Sequence, residues 1–354
     1  MIVCMKILDT VAWRRLRHVV EGQVPNSGGL MKNIAVVTSG GDAPGMNAAV
    51  RAIVRVGTDV GLQMHGVSNG YEGLIAGDIR HLTNRDVGEI LHLGGTCLGT
   101  ARSKEFRESE EARRQAVANM RQQGIDALIV IGGNGSQAGA NELNRLGFPV
   151  VGVASTVDND LYGSDISIGV DTALDIIIES IDRIRTTAES HHRAFLIEVM
   201  GKTCGYLALA AGLAGGADVV VTPEFDIEPP EIQDQLAAAH SRGKRYALAV
   251  VTDGAKNNAA RCAEYFRQRE EEIGYELRVT ILGHVQRGGA PSTYDRILAS
   301  RLGAAAIEQL AAGKSGHLVG WNKGAIVLTP LEEVAAKDKQ LDSDLWKLLG
   351  VLAK

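Results

Sequence analysis

Two aspartates two positions apart, Asp158 and Asp160, carry the chemistry most readily read from this chain. They follow Thr156, with Asn159 between them. In an extended loop this spacing points both carboxylates to one side, where one can act as a base and the other hold a metal ion. The same residues could also cap a loop by accepting from backbone N–H groups. The upstream sequence favours the chemical reading: an apolar run at 127–131 turns through Gly132, Gly133 and Gly135 and continues as a helix. Glycines let backbone N–H groups approach a polyphosphate, and the helix start adds positive dipole. A second apolar run, 149–154, then delivers the acidic loop. On neighbouring parallel strands, turn and loop should face one ligand, which points to phosphoryl transfer.

A similar turn, TSGGDAPG over 38–45, includes Gly41 and again joins a strand to a helix. One such turn is a weak signal, and two are a stronger one. Basic residues suited to phosphate recur at loop and strand ends: Arg102, Arg193, Lys202, Arg278 and Arg287. Each alone reads as solvated surface, but Arg278 opens a strand that runs directly into HVQRGG at 284–289. His284 by itself is more often a structural hydrogen bonder than a catalyst. A nicotinamide-dependent dehydrogenase would need G-x-G-x-x-G after a strand, and the glycines of 40–45 do not supply that spacing.

These residues need a frame of alternating elements. Strands are expected at 34–38, 149–154, 194–199, 219–221, 246–252 and 278–282, with short elements near 63–67 and a loop at 69–77. Helices are expected at 46–57, near 85–91, and at 109–123, 172–187, 206–213, 231–242, 259–273, 294–312 and 331–352. The alternation predicts an α/β protein with mostly parallel sheets covered on both faces. A length of 354 residues suits two domains, and 45% hydrophobic with 22% charged residues describes a globular chain. A net charge of -5 and 4% aromatics argue against nucleic-acid binding, and no apolar run reaches membrane-spanning length. Cys4, Cys97, Cys204 and Cys262 are scattered and form no metal spacing, which suits reduced thiols in a cytoplasmic protein. Residues 1–30 fit poorly with the alternating pattern of the remaining chain and read as a poorly ordered extension rather than a targeting signal.

The motifs TSGGDAPGMNAA, GGTCLGTAR, IGGNGSQAGA, STVDND, ESHHRAFLIEVMGKTCGYLAL and ILGHVQRGGAPSTYDRILASR, in this order, resemble the bacterial-type ATP-dependent 6-phosphofructokinases. The resemblance runs from about residue 32 to beyond 301. It implies two similar Rossmann-like domains: 31–168 with about 286–336 for nucleotide, and 169–285 with about 337–354 for sugar phosphate. It also implies a homotetramer with active sites at subunit contacts. The implied activity is phosphoryl transfer from ATP to the C1 hydroxyl of fructose 6-phosphate, with Mg²⁺. By the same resemblance, Gly41, Arg102 and Ser103 and the turn Gly132, Gly133, Asn134, Gly135 and Ser136 would hold ATP. Asp158 would take the hydroxyl proton, Thr156 would contact the phosphate in flight, and Asp160 would face Mg²⁺. Arg193 and Arg278 would reach the sugar 6-phosphate from a neighbouring subunit, with Met200, Gly201, Lys202, Asp253, His284 and Arg287 around the sugar. Arg51, Arg55, Arg185, Asp218 and Lys244 would form a nucleotide effector site answering to ADP or phosphoenolpyruvate.

The departures carry expectations of their own. Asn134 stands where the family has the Asp of GGDGS, so weaker Mg²⁺ binding is expected. Ser155 stands where ATP enzymes have Gly and pyrophosphate enzymes Lys; Gly135 is the small residue of ATP enzymes. Lys202 replaces an Arg, keeping the charge without the fork, and Asp253 replaces a Glu. Asp218 replaces a Glu in the effector set. The alternatives are a pyrophosphate-dependent or other sugar-phosphate kinase, or a weakened regulatory paralogue that binds nucleotide and sugar phosphate.

Overall fold

The computed structural model describes residues 31–267 and 269–353; the extension expected over 1–30 lies outside them. The strands in chain order are β1 (Asn33–Thr38), β2 (Gln63–Val67), β3 (Ile79–Leu82), β4 (Ala127–Gly132), β5 (Val150–Ala154), β6 (Arg193–Val199), β7 (Val219–Val221), β8 (Ala247–Thr252), β9 (Glu276–Ile281), β10 (His317–Asn322) and β11 (Ala325–Pro330). The helices are α1 (Met46–Asp59), α2 (Gly70–Ala76), α3 (Lys104–Glu108), α4 (Glu110–Gln122), α5 (Asn134–Arg145), α6 (Val170–His191), α7 (Tyr206–Ala214), α8 (Pro229–Ser241), α9 (Ala259–Phe266), α10 (Glu270–Ile273), α11 (Thr293–Ala311), α12 (Leu331–Ala336) and α13 (Ser343–Leu352). A short 3-10 turn spans Gly283–Arg287.

The chain divides into two compact units. The first takes the described residues up to Ser155 with Leu161–Ile168 and Thr293–Lys337; the second takes Thr156–Asp160, Gly169–Ser292 and Asp338–Lys354. The first unit holds a seven-stranded sheet in the order β11-β10-β5-β4-β1-β2-β3. Its five central strands are parallel, while β3 and β11 pair antiparallel at the edges. Every residue of β4 and β5 is buried, the mark of strands covered on both faces. Helix α11 lies close enough to α1 that a Cβ on Gly303 would come within 2.9 Å of the Ala49 carbonyl oxygen. The second unit has an all-parallel four-stranded sheet, β7-β8-β6-β9, and its core gathers Leu196, Val221, Leu236, Val251, Phe266 and Tyr275.

Local chemistry sets many element ends. Ser109 caps α4 by accepting from Ala112 N at 3.2 Å, and Glu110 and Glu111 complement the first-turn dipole. Pro229 and Pro230 open α8, where their missing N–H groups cost nothing.

Several expectations are corrected. The segment 69–77, expected as a loop, contains α2, and the helix expected near 85–91 is a set of turns. There Asp86 accepts from Thr83 N (2.7 Å) and Thr83 Oγ1 (2.6 Å), a local pattern that competes with a helix. The helix expected over 259–273 is split into α9 and α10, and that over 331–352 into α12 and α13. Asp342 begins α13 afresh by accepting from Asp344 N at 2.8 Å. Strands β3, β10 and β11 are additions to the expected set; β3 and β11 are partly exposed edge strands, and β3 has no continuous apolar run. Residues 286–292 group with the second unit rather than the first, because the 3-10 turn packs on α6 and β6. Residues 156–160 also fall in the second unit.

Candidate active site

The first unit sets two glycine turns side by side at its strand ends. Strands β1 and β4 are paired with Thr38 opposite Ile131, so the turns at their ends start side by side. The turns are then locked together: Ser39 N donates to Ile131 O at 3.1 Å, and Ser136 Oγ donates to Ser39 O at 2.8 Å. Gly132 must be glycine, because a Cβ there would lie 2.5 Å from Ser136 Oγ and 2.6 Å from Ser39 O. Gly40 adopts φ 85°, a conformation that disfavours other residues, and its carbonyl accepts from Thr100 Oγ1 at 2.8 Å. Helix α5 begins behind Gly133 with no side-chain cap, and Ser136 N donates to Gly133 O at 3.0 Å, so the positive end of the helix dipole lies at this turn.

Asn134 and Gly135 are exposed at that helix start and Gly133 half-buried, whereas Ser136 is buried. A Cβ on Gly135 would meet nothing within 4 Å, so the space beside it is open. Gly41 is half-buried and Arg102 exposed. Ser103 spends its hydroxyl on capping α3, accepting from Phe106 N at 3.2 Å. Two supports lie outside the expected site residues. Tyr71 is buried, stacks on Phe106 at 4.0 Å between centroids and donates to the Ser136 carbonyl. Gln137 is fully buried, and its Nε2 donates to the carbonyls of Val130, Gly132 and Val153.

The second unit builds its site from charged side chains. The acidic loop is not extended as expected. It curls around Thr156, whose Oγ1 accepts from Asp158 N at 3.2 Å and donates to Asp160 Oδ1 at 3.4 Å, with Asn159 at φ 52°. Asp158 is buried, and its Oδ1 accepts no hydrogen bond from a described residue. The Arg287 guanidinium stands 3.8 Å away. Burial pushes the Asp158 carboxyl above its ordinary range; Arg287 and Lys202 oppose this, and Asp160 and Asp253 reinforce it. Ser155, the residue before the loop, belongs to the first unit and is fully buried, with its N–H donating to Gly132 O at 3.3 Å.

Lys202, at φ 56°, donates its N–H to Asp253 Oδ1 at 2.8 Å, and Gly201 before it adopts φ 155°. A Cβ on Gly201 would collide with the Cys204 carbonyl oxygen, so the bend is reserved for glycine. Met200 N donates to Gln286 Oε1 at 3.1 Å. His284 is exposed on the 3-10 turn that also carries buried Arg287. Arg193 on β6 and Arg278 on β9 both pair with Glu276, a partner absent from the expected set although it sits two residues from Arg278. Glu276 and Arg193 are register partners across the β6/β9 pair.

The residues assigned to an effector site fall into both units. Arg51 and Arg55 lie on α1 of the first; burial, then Arg55, lowers the pKa of Arg51. In the second unit Arg185 donates to the Gly215 carbonyl and stands 3.7 Å from Asp182, while buried Asp218 pairs with Lys244 and accepts from Leu248 N at 3.1 Å.

Among the described residues no three or more His, Cys, Asp or Glu side chains converge on a metal cage. Asp160 and the unbonded Oδ1 of Asp158 are hard oxygen donors, which fits Mg²⁺, an ion usually held by one or two carboxylates plus waters and substrate phosphates.

Comparison with known proteins agrees with this chemistry. The family model described as Phosphofructokinase matches residues 33–310. The chain is 50% identical over 324 residues to an ATP-dependent 6-phosphofructokinase 1 of Thermus thermophilus, covering 91% of this chain and 100% of that one. It is 47% identical over 318 residues to the ATP-dependent 6-phosphofructokinase of Bacillus subtilis, covering 90% and 98%. Among solved structures, phosphofructokinase from Saccharomyces cerevisiae superposes with a TM-score of 0.79 at 40% identity over 86% of this chain, which spans 45% of the yeast chain. A pyrophosphate-dependent phosphofructokinase from Nitrosospira multiformis superposes at 0.81 with 19% identity, over 91% of this chain and 92% of that one, a likeness of fold alone. With a match across most of its length and near-half identity to full-length relatives, the chain belongs to the phosphofructokinase family.

Proposed function

We propose that this protein is an ATP-dependent 6-phosphofructokinase, a phosphotransferase that makes fructose 1,6-bisphosphate and ADP in glycolysis. The observation that carries the reading is Asp158: a buried carboxylate with an unbonded oxygen, beside the Thr156 hydroxyl and the Arg287 guanidinium. Its environment raises its proton affinity, which suits a group that accepts the C1 hydroxyl proton as the phosphoryl group arrives.

Phosphoryl transfer asks the protein mainly for positioning and charge neutralisation. Gly41 and the backbone of Gly132 to Ser136, with Arg102 and Ser103, orient the nucleotide phosphates. Thr156 offers its hydroxyl to the phosphate in flight, and Met200, Gly201, Lys202, Asp253, His284 and Arg287 bind the sugar phosphate, with Arg193 and Arg278 reaching its 6-phosphate from a neighbouring subunit. Asp160, with a weaker contribution from Asn134, would hold Mg²⁺, which when bound neutralises charge on the phosphate oxygens. The open space beside Gly135 supports a nucleotide rather than a bare pyrophosphate donor.

The finer parts of the proposal are a homotetramer, a cytoplasmic location, and control by ADP or phosphoenolpyruvate through Arg51, Arg55, Arg185, Asp218 and Lys244. Buried Cys204 and Cys262, with thiols pushed up to about 11 and about 12 by burial, are inert as reduced thiols and suit a reducing compartment. Aldolase-coupled turnover with fructose 6-phosphate tests the reading, comparing ATP with pyrophosphate across a wide Mg²⁺ range. Robust ATP-dependent turnover is expected. Turnover with pyrophosphate alone, or ATP binding without turnover, overturns it. A rate indifferent to both ADP and phosphoenolpyruvate removes the effector proposal.

A further inference from the structure

We propose that Gln286 is the positioning residue of the sugar-phosphate half, joining its two binding loops through one buried amide. The side chain is fully buried and uses both ends: Oε1 accepts from Met200 N at 3.1 Å, and Nε2 donates to Gly283 O at 2.8 Å. The first contact reaches the loop after β6, which carries Met200, Gly201 and Lys202; the second closes the 3-10 turn that carries His284 and Arg287. The next links are already in place. Arg287 stands 3.8 Å from Asp158 Oδ1, and Lys202 N is held on Asp253 at 2.8 Å.

The amide fits this place because it offers an acceptor and a donor at once. Met200 N–H requires an acceptor and the Gly283 carbonyl a donor, and a buried backbone group left unmatched costs more than an exposed one. A carboxylate would satisfy only the first, and an apolar side chain neither. The surrounding backbone has no slack to absorb the loss, since Gly201 and Lys202 already sit at positive φ. Gln286 lies wholly within the second unit, as do both of its partners. It therefore acts on the acceptor through Met200 and Arg287, and leaves the nucleotide seat of the first unit unchanged.

The inference rests on the kinase reading, and its test separates the two. In the full chain, near-isosteric Gln286→Met should raise KM for fructose 6-phosphate at least about ten-fold while KM for ATP stays within about two-fold, because small displacements of positioning groups are felt steeply. Gln286→Glu keeps the acceptor for Met200 N and should show the same split at smaller size, which covers the case in which the Met variant does not fold. Amide hydrogen exchange should speed up at Met200 and across 283–288 in either variant. Equal rises in both KM values, a fall in kcat with both KM values unchanged, or unaltered exchange at Met200 overturns the positioning role. Wild-type protein that turns over no sugar phosphate overturns the kinase reading instead, and the exchange measurement then still decides whether Gln286 holds the two loops.

Discussion

The two units meet the same demand, a fixed array of charge at strand ends, by opposite means. The first uses main chain: Gly40 and Gly132 shape two turns that only glycine fits, and the start of α5, without a side-chain cap, supplies the dipole. The second uses side chains: Asp158, Asp160, Asp253, Lys202, Arg193, Arg278 and Arg287. Backbone N–H groups cannot change rotamer, so the first array is set once the turns are locked. Charged side chains can swing, and they are restrained by pairing, as Glu276 restrains both Arg193 and Arg278. Among the described residues each unit also carries one fully buried glutamine. Gln137 ties α5 to carbonyls of β4 and β5, and Gln286 ties two loops together. A polyphosphate is served by a rigid cradle, whereas a hydroxyl that must be deprotonated needs a tuned carboxylate.

If that division holds, loss of the base has the largest effect. Asp158→Asn should lower kcat by about 10²- to 10⁴-fold with KM for ATP nearly unchanged, as read in the coupled assay. A variant keeping a tenth or more of the wild-type rate would remove Asp158 from the base role. Next, Gln137→Met should lower stability by roughly 1–3 kcal/mol and raise KM for ATP but not for fructose 6-phosphate, the mirror image of Gln286→Met. Denaturant melts and two-substrate kinetics check it, and a rise confined to the sugar phosphate would break the comparison.

Asn134→Asp should reduce the Mg²⁺ concentration for half-maximal rate by roughly three- to ten-fold, since a carboxylate suits a hard dication better than an amide. An unchanged Mg²⁺ titration would take Asn134 away from the metal. The pH profile gives a smaller, signed effect. Only ionised Asp158 accepts a proton, and burial raises its pKa, so the rate should fall as pH drops through a value above the ordinary carboxylate figure of about 4. Arg287 favours the ionised form, so Arg287→Gln should move this acid limb further up; a downward move contradicts the pairing. Least of all, Ser109→Ala should cost about 1 kcal/mol of stability through the lost cap of α4 and leave both KM values alone.

Much of this is legible in the chain alone. Apolar runs mark β1, β4, β5, β6 and β8, because buried parallel strands are apolar on both faces. The glycine turns and the order of motifs identify the family and the residue types of its site. The edge strand β3 escapes, since an exposed antiparallel strand needs no apolar run. The helix expected near 85–91 fails because Thr83 and Asp86 satisfy each other first.

The sequence by itself determined the chemistry: which strand ends bear glycine and which bear carboxylates, because backbone freedom and charge belong to residue types. Only the tertiary structure decided what holds those groups. It paired Glu276 with two arginines, curled the acidic loop around the Thr156 hydroxyl, and buried Gln137 and Gln286 as bridges. Those assignments depend on contacts between residues up to 86 positions apart, as for Met200 and Gln286, and side-chain partners at such separations leave no local periodicity to read.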